Sequence, residues 1–270
     1  MRRCTVLLVV VSCLCCTRSV RADTVAHWRF EEGSPNTVAT GADSVLDSSG
    51  NNLHGTPSGG PIYRSVSNPG STLGLEFDGV DDFVMIADDP LFQLTGSLTL
   101  EAYIRIDSYA KSGEIVWRGD DRGARDPYRL KFHGDGNSDP SQRRTVRFAI
   151  SDGSTDVGIN SPALPLGQML HVAGTLDDAT GQMRLFVDGD MVAETITARR
   201  PFGALDPGRR PRVVIGTINQ TGGDFFDGII DEVRISDVAL PIPEPSAAVL
   251  LGMGAIGMAF HVCRRRRRTT

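Results

Sequence analysis

Apolar and polar side chains alternate with a period of two over six stretches of the chain, residues 25–30, 98–106, 128–132, 145–150, 169–176 and 182–187. Alternation of this kind puts successive side chains on opposite faces of a half-buried antiparallel strand. Clusters of Gly, Asn, Asp, Ser and Pro punctuate the runs at residues 47–52, 133–140, 177–182 and 187–191. Asp188-Gly189 stands between two alternating runs. It predicts a tight hairpin, because such a turn needs positive φ at both central positions. No stretch holds a 3.6 period over the roughly ten residues that a helix needs. The pattern predicts about a dozen strands, hence an all-β, antiparallel β-sandwich of two packed sheets.

Composition agrees with a folded, loop-rich protein: 270 residues, 40% apolar, 23% charged, with 30 Gly and 15 Pro. The formal charge of −5 hides an asymmetry, since nine of the 28 basic residues lie at the two ends and Glu244 alone of the 33 acids does. Residues 23–240 hold 19 basic and 32 acidic side chains, a net charge of −13. Phosphate binding is driven by clustered cations, so this body is not expected to bind nucleic acid or an anionic membrane. All five cysteines, Cys4, Cys13, Cys15, Cys16 and Cys263, fall outside it. That excludes a disulfide framework, thiolate zinc sites and a cysteine nucleophile, and leaves the fold to its core alone.

The ends read as targeting segments. Residues 1–3 are basic, residues 4–16 are apolar, and Val20-Arg21-Ala22 offers a cut ahead of Asp23. Residues 1–22 are therefore expected to be a secretory signal peptide, too short in its apolar part to span a bilayer. Residues 241–270 open with Pro241, Pro243 and Pro245, continue as an uncharged run over 246–263 and close on arginines 264–268. A proline-broken linker, a single membrane span and a cytoplasmic stop follow from that order.

Pro243-Glu244-Pro245-Ser246, the apolar run and the arginine cluster together resemble the PEP-CTERM sorting signal of bacterial exported proteins. The resemblance implies recognition by a membrane enzyme of the exosortase type, removal of the tail, and delivery to the cell surface or an extracellular matrix. Until processing, residues 246–263 would anchor the protein in the membrane.

Five segments in order, residues 25–55, 73–86, 98–106, 169–193 and 225–240, resemble the LamG-like branch of the concanavalin A-like lectin/glucanase superfamily. The resemblance implies a jelly-roll sandwich over residues 23–240. It leaves function open, because such folds host lectins, adhesive modules and hydrolases alike. Many members carry a tryptophan before the histidine of the central hairpin; this chain has Met169-Leu170-His171.

Glucanases of that superfamily set carboxylates on alternate residues of one strand, so that an acid and a nucleophile face one sugar. Here the acids come as adjacent pairs, Asp81-Asp82, Asp88-Asp89, Asp120-Asp121, Asp177-Asp178 and Asp231-Glu232. Neighbours in a regular strand point to opposite faces, so no catalytic pair is expected. His27, His54, His133 and His171 are scattered singly, and no His-Glu-x-x-His or phosphate-cradling glycine loop is present. Calcium is the cofactor that the acidic, glycine-bearing loops suit. Asp47 and Asn51, completed by Asp231 if the terminal strands lie side by side as the resemblance implies, form one candidate structural site. The alternative is an ordinary turn in which Asp47 and Asn51 bond the backbone. Trp117 and Tyr128 flank a glycine-rich acidic loop, where they either stack on a sugar or plug the core. Arg143-Arg144, Arg199-Arg200 and Arg209, Arg210 and Arg212 either grip an acidic polysaccharide or pair with the excess acids.

The expected function is binding without catalysis: an exported surface or matrix module whose partner is a polysaccharide. The alternatives are a structural or adhesive surface protein with protein partners, and a divergent glycoside hydrolase.

Overall fold

The computed structural model describes residues 24–122, 126–218 and 224–242. The predicted signal peptide, sorting segment Pro243 to Ser246, membrane span and arginine cluster lie outside these residues. In chain order the strands are β1 (Thr24–Trp28), β2 (Gly55–Ser58), β3 (Ile62–Asn68), β4 (Ser71–Asp78), β5 (Phe83–Ala87), β6 (Leu98–Ile106), β7 (Gly113–Gly119) and β8 (Tyr128–His133). They continue with β9 (Thr145–Ser151), β10 (Asp156–Asn160), β11 (Met169–Leu176), β12 (Gln182–Val187), β13 (Asp190–Ile196), β14 (Arg212–Ile215) and β15 (Asp227–Ser236). Every pairing among them is antiparallel.

Two sheets result. Sheet A runs β13-β12-β11-β6-β15-β4-β3, with β1 added beside β15; sheet B runs β10-β9-β8-β7-β14-β5-β2. The six alternating runs are all strands, β1, β6, β8, β9, β11 and β12. The first stops two residues short of its predicted end, where Phe30 takes a left-handed φ of 55°. Short strands such as β2 and β14 carry too few residues to show a period.

The Asp188-Gly189 turn forms as predicted, with φ of 52° and 86° and Val187 paired to Asp190. Asp188 also ties the hairpin to β11, its Oδ1 accepting the His171 N–H at 2.8 Å.

Inward side chains of both sheets merge into one core that includes Trp28, Phe77, Ile104, Phe132, Phe148 and Ile230. Trp28 stacks on Phe92 with centroids 6.4 Å apart and donates its indole N–H to the Leu53 carbonyl at 2.8 Å, so its one polar group is satisfied. Gly174 of β11 lets the Phe148 ring of β9 pack directly on its backbone: a Cβ there would lie 2.3 Å from Cγ of Phe148. Gly174→Ala is therefore expected to cost about 1–3 kcal/mol through overpacking, read as a lower urea midpoint, with little change in the slope of the transition.

Candidate functional site

Four strands of sheet A assemble a row of polar side chains on its outward face. His171 of β11 is opposite Tyr103 of β6, and Glu101 of β6 is opposite Arg234 of β15. His27 of β1 meets Arg234 from the other edge. Glu232 joins them because β15 is bulged. The register with β6 shifts between Asp231 and Arg234, and Glu232 takes a φ of 50°. Ile230 and Val233 both enter the core, so two residues rather than one separate consecutive inward positions. Asp231 and Glu232 consequently share the outward face, which corrects the expectation that adjacent acids here point apart.

With Pro69, the side chains of His27, Glu101, Tyr103, His171, Glu232 and Arg234 line a recess of about 300 Å³, and Asp231 lies buried outside it. Glu232 is gripped twice, by His27 Nε2 at 2.5 Å from Oε2 and by Arg29 Nε at 3.0 Å from Oε1. Glu101 is gripped in the same manner, by His171 Nε2 at 3.2 Å from Oε2 and by Arg234 on Oε1. Tyr103 and His171 form an aromatic corner, their ring centroids 4.9 Å apart and their planes at 48°.

Burial raises the Glu101 carboxyl, but the His171 hydrogen bond and the Arg234 charge outweigh it and hold the group below the usual carboxylate range. Glu232 behaves alike: burial raises it, and the bonds from His27 and Arg29 carry it lower. Asp231 goes the other way. Burial pushes its carboxyl up to about 6 despite the bond from Asn68, whose Nδ2 donates to Oδ2 at 2.7 Å.

The three residues predicted to share calcium are not brought together. Trp28 of β1 bridges to Asp47 on one side and pairs with Val233 of β15 on the other, so a whole strand separates Asp47 from Asp231. The Asp47 carboxylate already accepts from His27 N, Ser49 N, Ser49 Oγ and Leu53 N. Those bonds outweigh burial and lower its pKa. Asn51 donates to the carbonyl of Val25 at 2.9 Å. This is the turn alternative, with both side chains closing their own loop. Among the described residues, three carboxylates converge instead at Asp78, Asp81 and Asp82, with ligand atoms within 4.8 Å of one another. Burial and the neighbouring acids push Asp82 up to about 6.

Neither predicted stacking ring is available at a surface. Tyr128 is wholly buried between the sheets and donates its hydroxyl to the Phe92 carbonyl at 2.9 Å. Trp117 packs with Phe83, Val214 and Phe225 on the outward side of sheet B, under the Arg212 guanidinium 5.6 Å from its ring. Most of the arginines resolve as ion pairs, Arg144 to Asp135, Arg199 to Asp152, Arg200 to Asp178, Arg209 to Asp206, and Arg210 and Arg212 to Asp121, while Arg143 donates to the Asn137 carbonyl.

Sheet B bears a second ionic cluster, enclosed rather than open. Glu114 has no exposed surface and lies 3.4 Å from Lys131 Nζ, which also reaches Asp224 at 2.6 Å. Burial raises the Glu114 carboxyl. Burial together with the charges of Lys131 and Arg147 pushes His133 down to about 4.

A sandwich of two antiparallel sheets with this strand order defines a lectin-like class of fold. The profile of the concanavalin A-like lectin/glucanases superfamily matches residues 78–244, and the chain belongs to that superfamily. The PEP-CTERM protein-sorting motif matches residues 241–268, which implies export and processing at a membrane. No curated protein matches the chain. Among solved structures it is similar to domain 4 of AbnA, an extracellular GH43 arabinanase of Geobacillus stearothermophilus, in complex with arabinotriose. There the identity is 17% and the TM-score 0.55, over 84% of this chain and 96% of that one. It is similar to the binding domain of botulinum neurotoxin DC in complex with SialylT, at 11% identity and TM-score 0.57, over 81% of this chain and 48% of that one. Trypanosoma rangeli sialidase in complex with sialic acid gives 17% and 0.53, over 81% and 31%. The chain thus spans less than half of the toxin and sialidase structures, and the likeness is one of fold.

The Asp231 carboxyl yields a pH dependence of defined sign. Its folded pKa of about 6 lies above the roughly 3.9 of an unperturbed aspartate, so between those values the folded chain holds a proton that the unfolded chain releases. Its contribution to stability falls as pH rises through that window. Asp231→Asn is expected to stabilise the protein by about 1–2 kcal/mol at pH 7.5 and by almost nothing at pH 4, measured by urea unfolding at both.

Proposed function

We propose that the protein is an exported, non-catalytic glycan-binding module that receives its ligand in the recess of sheet A. The Tyr103–His171 corner beside two glutamates, each held by an arginine, carries this reading. An aromatic edge offers the apolar face of a sugar a surface, while planar guanidinium and carboxylate groups suit its hydroxyls. The complex of the arabinanase domain with arabinotriose supports the assignment, because nearly all of that domain corresponds to this chain.

Electrostatics support binding over hydrolysis. Glycoside cleavage needs a carboxyl held protonated to donate to the leaving oxygen. Glu101 and Glu232 both lie below the usual range, each held by a histidine and an arginine. Glu114 and Asp231, whose carboxyls burial does raise, have no exposed surface and do not line the recess.

Calorimetric titration of the purified protein against a polysaccharide panel is expected to find a glycan whose affinity drops about tenfold or more in Tyr103→Ala and in Arg234→Ala, roughly 1.4 kcal/mol each. No reducing ends should appear on prolonged incubation with that glycan. Unchanged affinity in both variants would remove the ligand from this face. Silence across the panel would favour a structural surface protein with protein partners.

A further inference from the structure

Both ends of the folded body leave from one pole. Thr24, the first residue of β1, pairs with Ser236, the last of β15, and Ser236 in turn pairs with Thr99 on β6. The chain does not come free at Ser236. Thr99 is fully buried, and its hydroxyl donates to the Val238 carbonyl at 2.7 Å while accepting the Leu240 N–H at 2.9 Å. Both hydrogen-bonding functions of one buried side chain thus hold the outgoing segment to the body as far as Leu240.

Only Pro241 and Ile242 then precede Pro243-Glu244-Pro245. The sorting motif in fact begins at residue 241, inside the stretch matched by the superfamily profile, which runs to 244. Two residues reach at most about 7 Å. One helix is roughly 10–12 Å across with its side chains. An enzyme that encloses the Pro-Glu-Pro segment cannot place protein atoms around it without touching the pole of the sandwich. The apolar run starts at residue 246, six residues beyond Leu240 and so at most about 20 Å away. A body with a radius of gyration of about 17 Å cannot turn freely on such an arm.

We propose that this pole, ringed by the exposed residues Asn51, Thr95 and Ala179, is a docking surface for the membrane-embedded enzyme that reads the sorting segment. Asn51 is placed there by its bond to the Val25 carbonyl, and Thr95 and Ala179 by the pairing of Leu98 with Leu176 at the ends of β6 and β11. The opposite pole carries the β4–β5 turn, whose Val80 is 61% exposed. The inference rests on the sorting reading and adds to it a contact between body and enzyme.

Photocrosslinking residues placed one at a time at 51, 95, 179 and 80 of the full chain, in cells carrying the processing enzyme, test it. Intact mass of the exported product is measured alongside. Crosslinks to a membrane protein are expected from 51, 95 and 179 and not from 80. A spacer of twelve Gly/Ser residues after Ile242, with a root-mean-square span of about 19 Å, is expected to cut them roughly tenfold while tail removal continues. Thr99→Val, which frees the stapled segment, should lower them in the same direction. Crosslinks equal from 80, crosslinks to lipid alone, or crosslinks indifferent to the spacer would overturn the docking surface while leaving sorting intact. A mature product that still carries arginines 264–268 would overturn the sorting reading itself, and the docking surface with it.

Discussion

Strand β15 pairs with β6 along one edge but with two partners along the other, β4 at Asp227 to Ile230 and β1 at Val233 to Ser236. The handover falls at Asp231 and Glu232, where the backbone jogs into the left-handed region. A regular strand there would send one of the two acids into the core. The bulge turns both outward, keeps Ile230 and Val233 inward, and delivers Glu232 to His27 of β1 and to Arg29 just beyond its end. The recess on sheet A, the ionised state of its glutamates and the raised carboxyl of Asp231 all depend on that one irregularity.

Six of the fifteen described strands were legible by alternation, because a half-buried strand writes its burial into every second residue. By contrast, β7 is buried at every position and β15 at most, so they carry no clean period. The Asp188-Gly189 turn was legible because few residues accept its backbone angles. The site was not. Glu101, Tyr103, His27 and His171 each occupy outward positions in predicted strands, and a lone acid or imidazole in an apolar run was the available signal. Alternation says which face a side chain takes, whereas neighbours across β11, β6, β15 and β1 are set by strand order, which has no local trace. A bulge is similarly silent, since it costs one residue of register and alters no composition. The same limit misplaced Asp231 beside Asp47: terminal strands do lie adjacent, but β1 stands between the two side chains.

The two outward faces treat charge differently. On sheet A each glutamate keeps an arginine and an imidazole partner and a path to solvent, so ionisation is cheap. On sheet B the carboxylate of Glu114 is withdrawn from water with one ammonium near it, an arrangement whose desolvation largely cancels its attraction. Such a pair adds little net stability to the register of β7 and β8 in which it lies. With no thiol in the body to fasten the sheets, the apolar core between them carries that task.

The strand that joins the halves of sheet A is also the last to be made. Before residues 227–236 arrive, β13-β12-β11-β6 on one side and β4-β3 on the other have no neighbour between them, and β1 has no partner strand. Closure requires contacts between the two ends of the chain, the most distant in sequence and the slowest to form. Synthesis runs from the N-terminus, so this architecture leaves sheet A open until the last described strand has been made. Placing the central strand last among the described strands thus makes completion of sheet A wait on completion of the whole body.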